Sequence, residues 1–281
     1  MAKISILIAN FNNGHLFEDA YRSLVSQTSD QWEAIVIDDA SADDSVAVIE
    51  KLIRGDKRFL FFKNETNIGC QKTVLRAIEL SSTEIFGRLD PDDALYPDAV
   101  EISLIEHQKH PEVGLVYSDI TFCDKDLNPQ AVYAAGQVDH LDEKSLLLNG
   151  EIGGFATLKK EFYDKTSGID STILRAEDID IYMKMCEVAP VKRIPKSVYY
   201  YRILNTSLSK GQNAERAYFW HLVSIVKLAE RRQKNLEDLF NEHFVKRRVL
   251  NAFKQRRENL LTAVNQNRLL VILAYLAGKK F

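Results

Sequence analysis

Cysteine is scarce in this sequence of 281 residues. The three cysteines, Cys70, Cys123 and Cys186, form neither a CxxC pair nor an even set, which argues against a zinc site and against a disulfide framework. Long apolar runs are also lacking, because the run at residues 4–9 is too short for a signal peptide or a membrane-spanning helix. We therefore expect a cytoplasmic protein whose first apolar run is a buried strand.

Tandem repeats, low-complexity tracts and Pro- or Ser-rich linkers are absent as well, so a domain boundary has to be inferred from charge. Residues 212–281 contain 14 Lys or Arg against 6 Asp or Glu, whereas residues 1–211 contain 23 against 34. With 46% apolar and 27% charged residues, the composition is that of a soluble globular protein. We predict one domain at 1–211 and a basic amphipathic helical region at 212–281.

Three carboxylates stand within four residues in the segment GRLDPDDAL: Asp90, Asp92 and Asp93. They follow a predicted buried strand, and Pro91 excludes a helix at that point. Like charges this close raise one another's pKa unless a cation or hydrogen-bond donors offset them, and Mg²⁺ and Mn²⁺ prefer such oxygen ligands. The segment predicts a divalent-metal site at a strand end. The alternative is an acidic turn in which Asp92 or Asp93 caps the next helix.

Strands and helices alternate along the first part of the chain. Strands are predicted at residues 4–9, 32–37, 59–63, 83–89, 113–122 and 192–200, and helices at 15–27, 45–54, 71–80 and 98–109. This alternation predicts an α/β fold with a mostly parallel central sheet and helices on both faces.

Polar residues follow successive predicted strands, at the edge where open α/β sheets bind ligands. They are Asn10, Asp38, Asp39, Asn67 and Asp90. Taken singly, each of them also fits a helix cap or a turn. Their recurrence at strand after strand favours a shared binding site.

Four stretches, SILIANFNN, IVIDDASADDS, NETNIG and RLDPDDAL, resemble in order and spacing the motifs of family-2 glycosyltransferases of the GT-A fold. RLDPDDAL resembles the DXD-containing motif. The resemblance covers about residues 1–211 and implies a Rossmann-like domain with a donor half at about 1–123 and an acceptor half at about 124–211. It also implies that the chain is an inverting enzyme. The enzyme would move a hexosyl or N-acetylhexosaminyl group from a UDP-sugar to a hydroxyl of a glycan or lipid-linked acceptor, with Mn²⁺ or Mg²⁺.

The resemblance implies a donor pocket built from all four stretches. Phe11 would lie against the nucleotide base, and Asp39 would accept a hydrogen bond from a base N–H while Asp38 supports the strand end. Gly69 would allow close backbone approach, and Lys72 would meet pyrophosphate or sugar oxygens, although it fits a solvated helix face equally well. The implied donor set is Ala9, Phe11, Asp38, Asp39, Asn67, Gly69, Lys72, Asp90 and Arg202, and the implied metal ligands are Asp92 and Asp90.

Acidic residues also open a predicted helix in the segment LRAEDIDIYMKM. The segment resembles the family's E-D motif, in which the aspartate is the general base, so the resemblance assigns this role to Asp178 with Glu177 beside it. The alternative is that both residues only stabilise the helix N-terminus. Gly153, Gly154 and Phe155 lie where the family places acceptor contacts, and a plain glycine turn is the alternative there.

The segment YRILNTSLS resembles the loop that closes over the pyrophosphate in the family. Arg202 suits this task, since a guanidinium offers a planar fork to phosphate. Two departures from the family are visible. Leu204 stands where relatives often carry a histidine, so a histidine ligand to the metal is lacking. Ala9 and Asn10 precede Phe11 where proline or threonine is common.

The basic residues after position 211 recur along predicted helices, and the apolar run at 269–277 is too short to cross a bilayer. Such a region is typical of peripheral contact with an anionic membrane, here the inner face of the cell membrane, and a homodimer or helical pack is the alternative. Nucleic acid is not an expected partner, because interleaved aromatics are lacking.

Two other functions compete with catalysis of glycosyl transfer. A non-catalytic nucleotide-sugar or glycan-binding module of the same fold is one, and the joint presence of Asp90, Asp92 and Asp178 argues against it. A nucleotidyltransferase is the other, and NFNNG matches a glycine-rich phosphate loop poorly.

Overall fold

The amino-terminal part of the chain alternates strands and helices. In this computed structural model the elements are β1 (Ile4–Asn10), a 3-10 turn (Gly14–Leu16), α1 (Phe17–Val25), β2 (Trp32–Asp38), α2 (Ser45–Leu52), β3 (Phe59–Lys63), α3 (Cys70–Leu80) and β4 (Ile85–Arg88). The structure describes residues 1–138, 151–204 and 213–239, with scattered positions between 241 and 262. The predicted βαβ alternation is confirmed, and β3 has the predicted bounds.

The rest of the fold contains short strands that the sequence did not reveal. In order, the elements are β5 (Ala94–Leu95), α4 (Ala99–Lys109), β6 (Leu115–Cys123), β7 (Pro129–Tyr133), β8 (Thr157–Lys159), α5 (Lys160–Tyr163), α6 (Glu177–Val188), β9 (Val191–Arg202), α7 (Ala214–Arg231) and α8 (Leu236–Leu239). Strands β5, β7 and β8 were not predicted, whereas α4, β6 and β9 lie close to their predicted positions.

The nine strands in the described part of the chain join in one sheet with the order β3-β2-β1-β4-β8-β6-β9-β5, and β7 pairs with β6. The strands from β3 to β4 are parallel to one another, as predicted. The second half of the sheet is mixed, because β6 and β9 are parallel while β8, β7 and β5 pair antiparallel with their neighbours. The α/β sheet is therefore parallel on the donor side and mixed beyond it.

The strand order reverses at β1. From β1 the chain moves to β2 and β3 in one direction, and then returns to place β4 on the other side of β1. Because crossovers between parallel strands are right-handed, this return puts α3 on the face opposite to α1 and α2. Such a reversal opens a crevice outside the carboxyl ends of the strands, here β1 and β4.

The main hydrophobic core lies between this sheet and the helices on one face. Ile4, Ile6 and Ile8 point to the same side of β1 and are fully buried. Trp32 packs edge-on against Phe59, with 5.4 Å between ring centroids. Each fully buried side chain of this kind stabilises the fold by about 1.5–3 kcal/mol.

The chain divides into two compact units, Met1–Leu228 and Ala229–Phe281. The first unit contains the whole sheet. The predicted boundary after Gly211 lies outside the described residues. Among the helices that the structure describes, none has the length and apolarity needed to cross a membrane.

Candidate active site

The carboxylate of Asp38 closes the turn after β2. Its Oδ1 accepts hydrogen bonds from Asn10 Nδ2 at 2.8 Å and from the Ser41 hydroxyl at 2.6 Å, and its Oδ2 accepts one from the Ser41 backbone N–H at 2.9 Å. Asp38 is buried. It therefore joins the carboxyl ends of β1 and β2 and supports the edge of the sheet.

Asp39 holds the loop that precedes α3. Its carboxylate accepts hydrogen bonds from Asn64 Nδ2 at 2.7 Å, from the backbone N–H of Ile68 at 2.9 Å and from that of Gly69 at 2.8 Å. Gly69 has φ +91°, a conformation that favours glycine. A carboxylate has about four acceptor positions, so Asp39 retains about one for a ligand. Its predicted contact with a nucleotide base stays a prediction.

Three of the predicted donor residues are open to solvent near these strand ends. Phe11 is 47% exposed, and Asn67 and Lys72 are exposed as well. A ligand that covers an exposed phenylalanine ring removes apolar surface from water, which is favourable. The exposure of Phe11 therefore suits a stacking role. The exposure of Lys72 is compatible with both of its predicted roles, contact with pyrophosphate or sugar oxygens and a solvated position on a helix face. Ala9 is half-buried beneath this surface.

The turn after β4 is fastened to β9 through Asp93. Asp93 is buried, its Oδ1 accepts the backbone N–H of Arg202 at 2.7 Å, and its Oδ2 accepts the hydroxyl of Tyr199 at 2.7 Å. Burial, with the charges of Asp90 and Asp92, raises the pKa of Asp93 well above its usual range. Asp93 thus fixes the turn that carries the other two aspartates, a role that the sequence did not assign.

Asp92 is the carboxylate best suited to a metal. It is half-buried, its backbone carbonyl accepts a hydrogen bond from Arg202, and its carboxylate makes no hydrogen bond or ion pair with another residue that the structure describes. Burial and the like charge of Asp90 raise the pKa of Asp92 to about 6, and a divalent cation would offset both effects.

The described ranges contain no group of three or more His, Cys, Asp or Glu side chains that could hold a metal. Two carboxylates completed by diphosphate oxygens are nevertheless an ordinary donor set for Mg²⁺ or Mn²⁺. Asp92 and Asp90 therefore fit the implied metal, with the phosphate supplied by a bound nucleotide.

Arg88, at the end of β4, connects two acidic motifs. Its Nε donates to Asp90 Oδ1 at 2.6 Å, and its Nη1 donates to Glu177 Oε1 at 2.6 Å. Burial alone would lower the pKa of Arg88, but the carboxylates of Asp90 and Glu177 hold it above its ordinary value. Arg88 was not among the residues predicted from the sequence. The signal was a lone arginine within a predicted buried strand that leads into three aspartates.

Asp178 stands next to Glu177 in the first turn of α6, and its Oδ1 accepts the backbone N–H of Ile179 at 2.9 Å. The surrounding protein and the like charge of Glu177 raise the pKa of Asp178 to about 6, although part of the residue is open to solvent. The N-cap of α6 is Ala176, without a side-chain capping bond. A carboxylate of this pKa is ionised and basic at neutral pH, as a general base requires.

Arg202 is engaged inside the protein. It is 3% exposed. Its guanidinium donates to the carbonyl of Asp92 at 2.5 Å, the carbonyl of Lys125 at 2.6 Å and the carboxylate of Asp19 at 2.6 Å. A contact with pyrophosphate would require it to give up one of these partners, so that role stays a prediction.

The predicted acceptor-binding turn is built for packing. A Cβ on Gly153 would lie 2.5 Å from the carbonyl oxygen of Ser118, and one on Gly154 would lie 3.2 Å from the ring of Tyr199. Phe155 is fully buried in the core. The buried side chain of Phe155 therefore offers no surface to an acceptor in this structure, and the acceptor contacts predicted for this turn stay a prediction.

A narrow cavity of about 50 Å³ lies beside the acidic residues of α6. Its polar lining comes from Gln71, Arg88, Glu177, Asp178 and Tyr182. The remaining lining is apolar or aromatic: Leu7, Val74, Phe86, Ala156, Leu158, Tyr163, Ile169 and Ile181. The cavity therefore extends the site into an apolar environment.

Comparison with known families decides the classification. The sequence model described as "Glycosyl transferase family 2" matches residues 5–166, more than half of the chain. The chain belongs to this family. The match includes the donor-side strands, the turn after β4 and Phe155, and it ends before α6.

Curated relatives of this chain are much longer proteins. The chain is 29% identical over 211 residues to chondroitin synthase from Escherichia coli, covering 74% of this chain and 30% of the relative. It is 27% identical over 212 residues to hyaluronan synthase from Pasteurella multocida, covering 74% and 21%. The chain thus spans about a fifth to a third of the length of these relatives.

Solved structures share the fold of this chain. S. aureus TarS 1–349 in complex with UDP-GlcNAc aligns with a TM-score of 0.63 and 16% identity, over 99% of this chain and 93% of that one. The mannosyltransferase PcManGT from Pyrobaculum calidifontis, in complex with GDP-Man and Mn²⁺, aligns with a TM-score of 0.56 and 15% identity, over 99% and 88%. The predicted GT-A fold is confirmed.

Proposed function

We propose that this glycosyltransferase moves a hexosyl or N-acetylhexosaminyl group from a UDP-sugar to a hydroxyl of a glycan or lipid-linked saccharide, with inversion at the anomeric carbon. One observation carries the proposal. Arg88 bonds both Asp90 in the turn after β4 and Glu177 beside Asp178, so the predicted leaving-group site and the predicted base share one edge of the sheet. A single-displacement transfer needs these two functions on either side of one sugar.

The proposed donor pocket lies along the loop before α3, which the carboxylate of Asp39 holds in place. Exposed Phe11 offers a ring to the nucleotide base, and Asn67, Gly69 and Lys72 follow along the same loop and the start of α3. S. aureus TarS has been solved with UDP-GlcNAc, which supports a uridine nucleotide for this fold. The acceptor side of the same pocket is formed by Asp178 and Glu177.

Asp178 accepts the proton of the acceptor hydroxyl while the hydroxyl oxygen attacks the anomeric carbon and the bond to the diphosphate breaks. Arg88 holds Glu177 at 2.6 Å and so keeps the start of α6 in place. A positioned base of this kind typically contributes about 10²–10⁴-fold to the rate.

A metal would lie on the leaving-group side. The chain's own groups for Mn²⁺ or Mg²⁺ are Asp90 and Asp92, and the carboxylate of Asp92 has no hydrogen-bond or ion-pair partner in the other described residues. When bound, the ion would neutralise charge on the departing diphosphate. The P. calidifontis mannosyltransferase was solved with GDP-Man and Mn²⁺, in agreement with this choice.

We further propose that the acceptor is a cell-surface polysaccharide or a lipid-linked oligosaccharide. The enzyme would act at the inner face of the cell membrane. The charge of residues 212–281, 14 Lys or Arg against 6 Asp or Glu, supports docking on anionic lipid. A homodimer through the same region is the alternative. The cluster at 246–248 and the apolar run at 269–277 lie outside the described residues.

A panel of nucleotide sugars tests the donor side of this proposal. Each compound is scored for protection of the full chain against thermal unfolding, with Mn²⁺ and with EDTA, because a ligand of the native state at 100 times its Kd adds about 2.7 kcal/mol of stability. We expect protection by UDP and UDP-sugars with Mn²⁺. The proposal is contradicted if no nucleotide sugar protects. Release of UDP from a bound donor in the presence of an acceptor separates the enzyme from a binding module.

A further inference from the structure

The hydroxyl of Tyr199 links the acidic turn after β4 to strand β9. It donates a hydrogen bond to Asp93 Oδ2 at 2.7 Å and accepts one from the backbone N–H of Asp90 at 3.3 Å. Tyr199 is 6% exposed. A single buried hydroxyl therefore contacts the turn on both sides of Asp92 in the sequence.

The ring that carries this hydroxyl is fixed by its surroundings. Strand β9 is paired on both sides at Tyr199, with Leu95 of β5 and with Ile120 of β6. Tyr199 also belongs to the main hydrophobic core, and a Cβ on Gly154 would lie only 3.2 Å from its ring. The hydroxyl thus has a fixed position against which the acidic turn is held.

The acidic turn needs support because it keeps like charges close together. Repulsion between the carboxylates of Asp90 and Asp92 favours a more open turn as long as no cation offsets it. A metal binds more tightly to ligands that are already in place, since ordering them on binding costs free energy. Residues that hold metal ligands from behind typically contribute about 10–100-fold to metal affinity.

We propose that Tyr199 is a positioning residue for the metal, and that its hydroxyl holds Asp90 and Asp92 in place for one divalent cation. Asp93 is the other half of this support, because its two oxygens are engaged by Tyr199 and by the backbone N–H of Arg202. This inference rests on the proposed function and deepens it, since it names the residue outside the ligand set that controls metal affinity.

Calorimetric UDP titration of the full chain at a series of Mn²⁺ concentrations tests the inference without an activity assay. Tyr199→Phe removes the hydroxyl and keeps the ring. We expect the Mn²⁺ concentration that gives half-maximal UDP binding to rise about tenfold or more. UDP affinity in EDTA should stay that of the parent, because the nucleotide side of the site is untouched.

Tyr117→Phe is the matched control. Tyr117 is also buried, and its hydroxyl donates to the carbonyl of Gly136 at 2.6 Å and accepts the backbone N–H of Val138 at 3.2 Å. Each variant loses a bond given and a bond accepted, so both should lower the temperature of thermal unfolding. Only Tyr199→Phe is expected to change the Mn²⁺ requirement, whereas a purely structural role of Tyr199 predicts no difference between the two.

Asp93→Asn tests the same support from the other side. The amide keeps the shape of the carboxylate, but its nitrogen cannot accept a hydrogen bond, so the Tyr199 hydroxyl or the Arg202 N–H loses its acceptor. This variant should raise the Mn²⁺ requirement as Tyr199→Phe does. Thermal unfolding shows whether each variant is folded, and Asp93→Asn carries the test if Tyr199→Phe is not.

Two results overturn the inference alone: a parental Mn²⁺ requirement in the folded variants of Tyr199 and Asp93, or an equal rise in Tyr117→Phe. If UDP binding to the parent chain does not depend on Mn²⁺, the proposed metal site and this inference are both overturned.

Discussion

The guanidinium of Arg88 donates a 2.6 Å hydrogen bond to Glu177 and thereby ties the end of β4 to the first residue of α6. The same side chain holds Asp90 at 2.6 Å. One cation thus aligns the acidic turn on the donor side with the helix that carries Asp178. Because the two acidic motifs are 87 residues apart in the chain, counted from Asp90 to Glu177, their alignment depends on this contact and on the sheet.

Arg88→Lys is expected to slow transfer about 10- to 100-fold. The lysine keeps the charge, but one ammonium cannot reproduce both arms of the fork, and a hydrogen bond between charged groups contributes about 1.5–3 kcal/mol. Steady-state rates and urea unfolding measure the effect on activity and stability. Arg22→Lys is the control, because the Arg22–Glu18 pair is exposed and such pairs contribute little. A parental transfer rate in Arg88→Lys would show that transfer does not depend on the two hydrogen bonds from Arg88 to Asp90 and Glu177.

Asp39→Asn should loosen the loop before α3. The amide nitrogen cannot accept a hydrogen bond, so one or more of the donors from Asn64, Ile68 and Gly69 loses its acceptor, at a cost of about 1–3 kcal/mol in the free energy of unfolding. We expect weaker binding of UDP together with lower stability. Denaturant unfolding and UDP titration measure both, and Asp30→Asn, at an exposed position, serves as the control. Unchanged stability would show that the loop does not depend on Asp39.

The donor half of the fold could be predicted from the sequence because each of its strands is a continuous apolar run followed by polar residues. Strands β1 to β4 and the helices between them follow that pattern, and β3 has its predicted bounds. Strands β5, β7 and β8 have two to five residues each. Strands β5 and β8 pair antiparallel with strands distant in sequence, whereas β7 forms a hairpin with β6. So short a segment has no periodicity of its own, and its pairing depends on tertiary contacts.

The site was predictable in its motifs and less so in its contacts. The motif containing Asp90 and Asp92 and the one containing Glu177 were found, but the bridge between them through Arg88 was not. Phe155 was placed at the acceptor and lies in the core. Burial of a single aromatic or arginine is set by the packing of distant elements, which local sequence patterns do not encode.

Asp92→Ala is expected to abolish the Mn²⁺-dependent part of UDP binding and to leave the fold intact. The carboxylate makes no hydrogen bond or ion pair with the described residues, so its removal disturbs little packing, and it relieves the charge repulsion with Asp90. UDP titration with Mn²⁺ and with EDTA, and thermal unfolding without ligand, give the two readouts. Asp30→Ala is the matched control. Parental Mn²⁺-dependent binding in Asp92→Ala would show that Asp92 is not a metal ligand.

The transfer rate should rise with pH and level off above about pH 6. Asp178 must be ionised to accept a proton, and its pKa is raised to about 6, so the rate falls about tenfold per pH unit below that value. The folded protein binds the Asp178 proton more tightly than the unfolded chain does. Protonated Asp178 therefore adds to the free energy of unfolding below about pH 4, and this contribution is lost as the pH rises through about 6. Rate profiles and unfolding at several pH values measure both. A flat rate profile between about pH 5 and 7 would argue against a base of this pKa.

Asp178→Asn, assayed for transfer rate and donor affinity on one preparation, tests the central claim most directly. The amide keeps the shape of the carboxylate but cannot accept the acceptor's proton. We expect turnover to fall by about 10²–10⁴-fold while UDP-sugar affinity stays close to that of the parent, with a stability above pH 6 at least equal to the parent's. A purely structural role at the start of α6 predicts near-parental turnover, since asparagine serves a helix N-terminus almost as well as aspartate. That result would remove Asp178 from the mechanism.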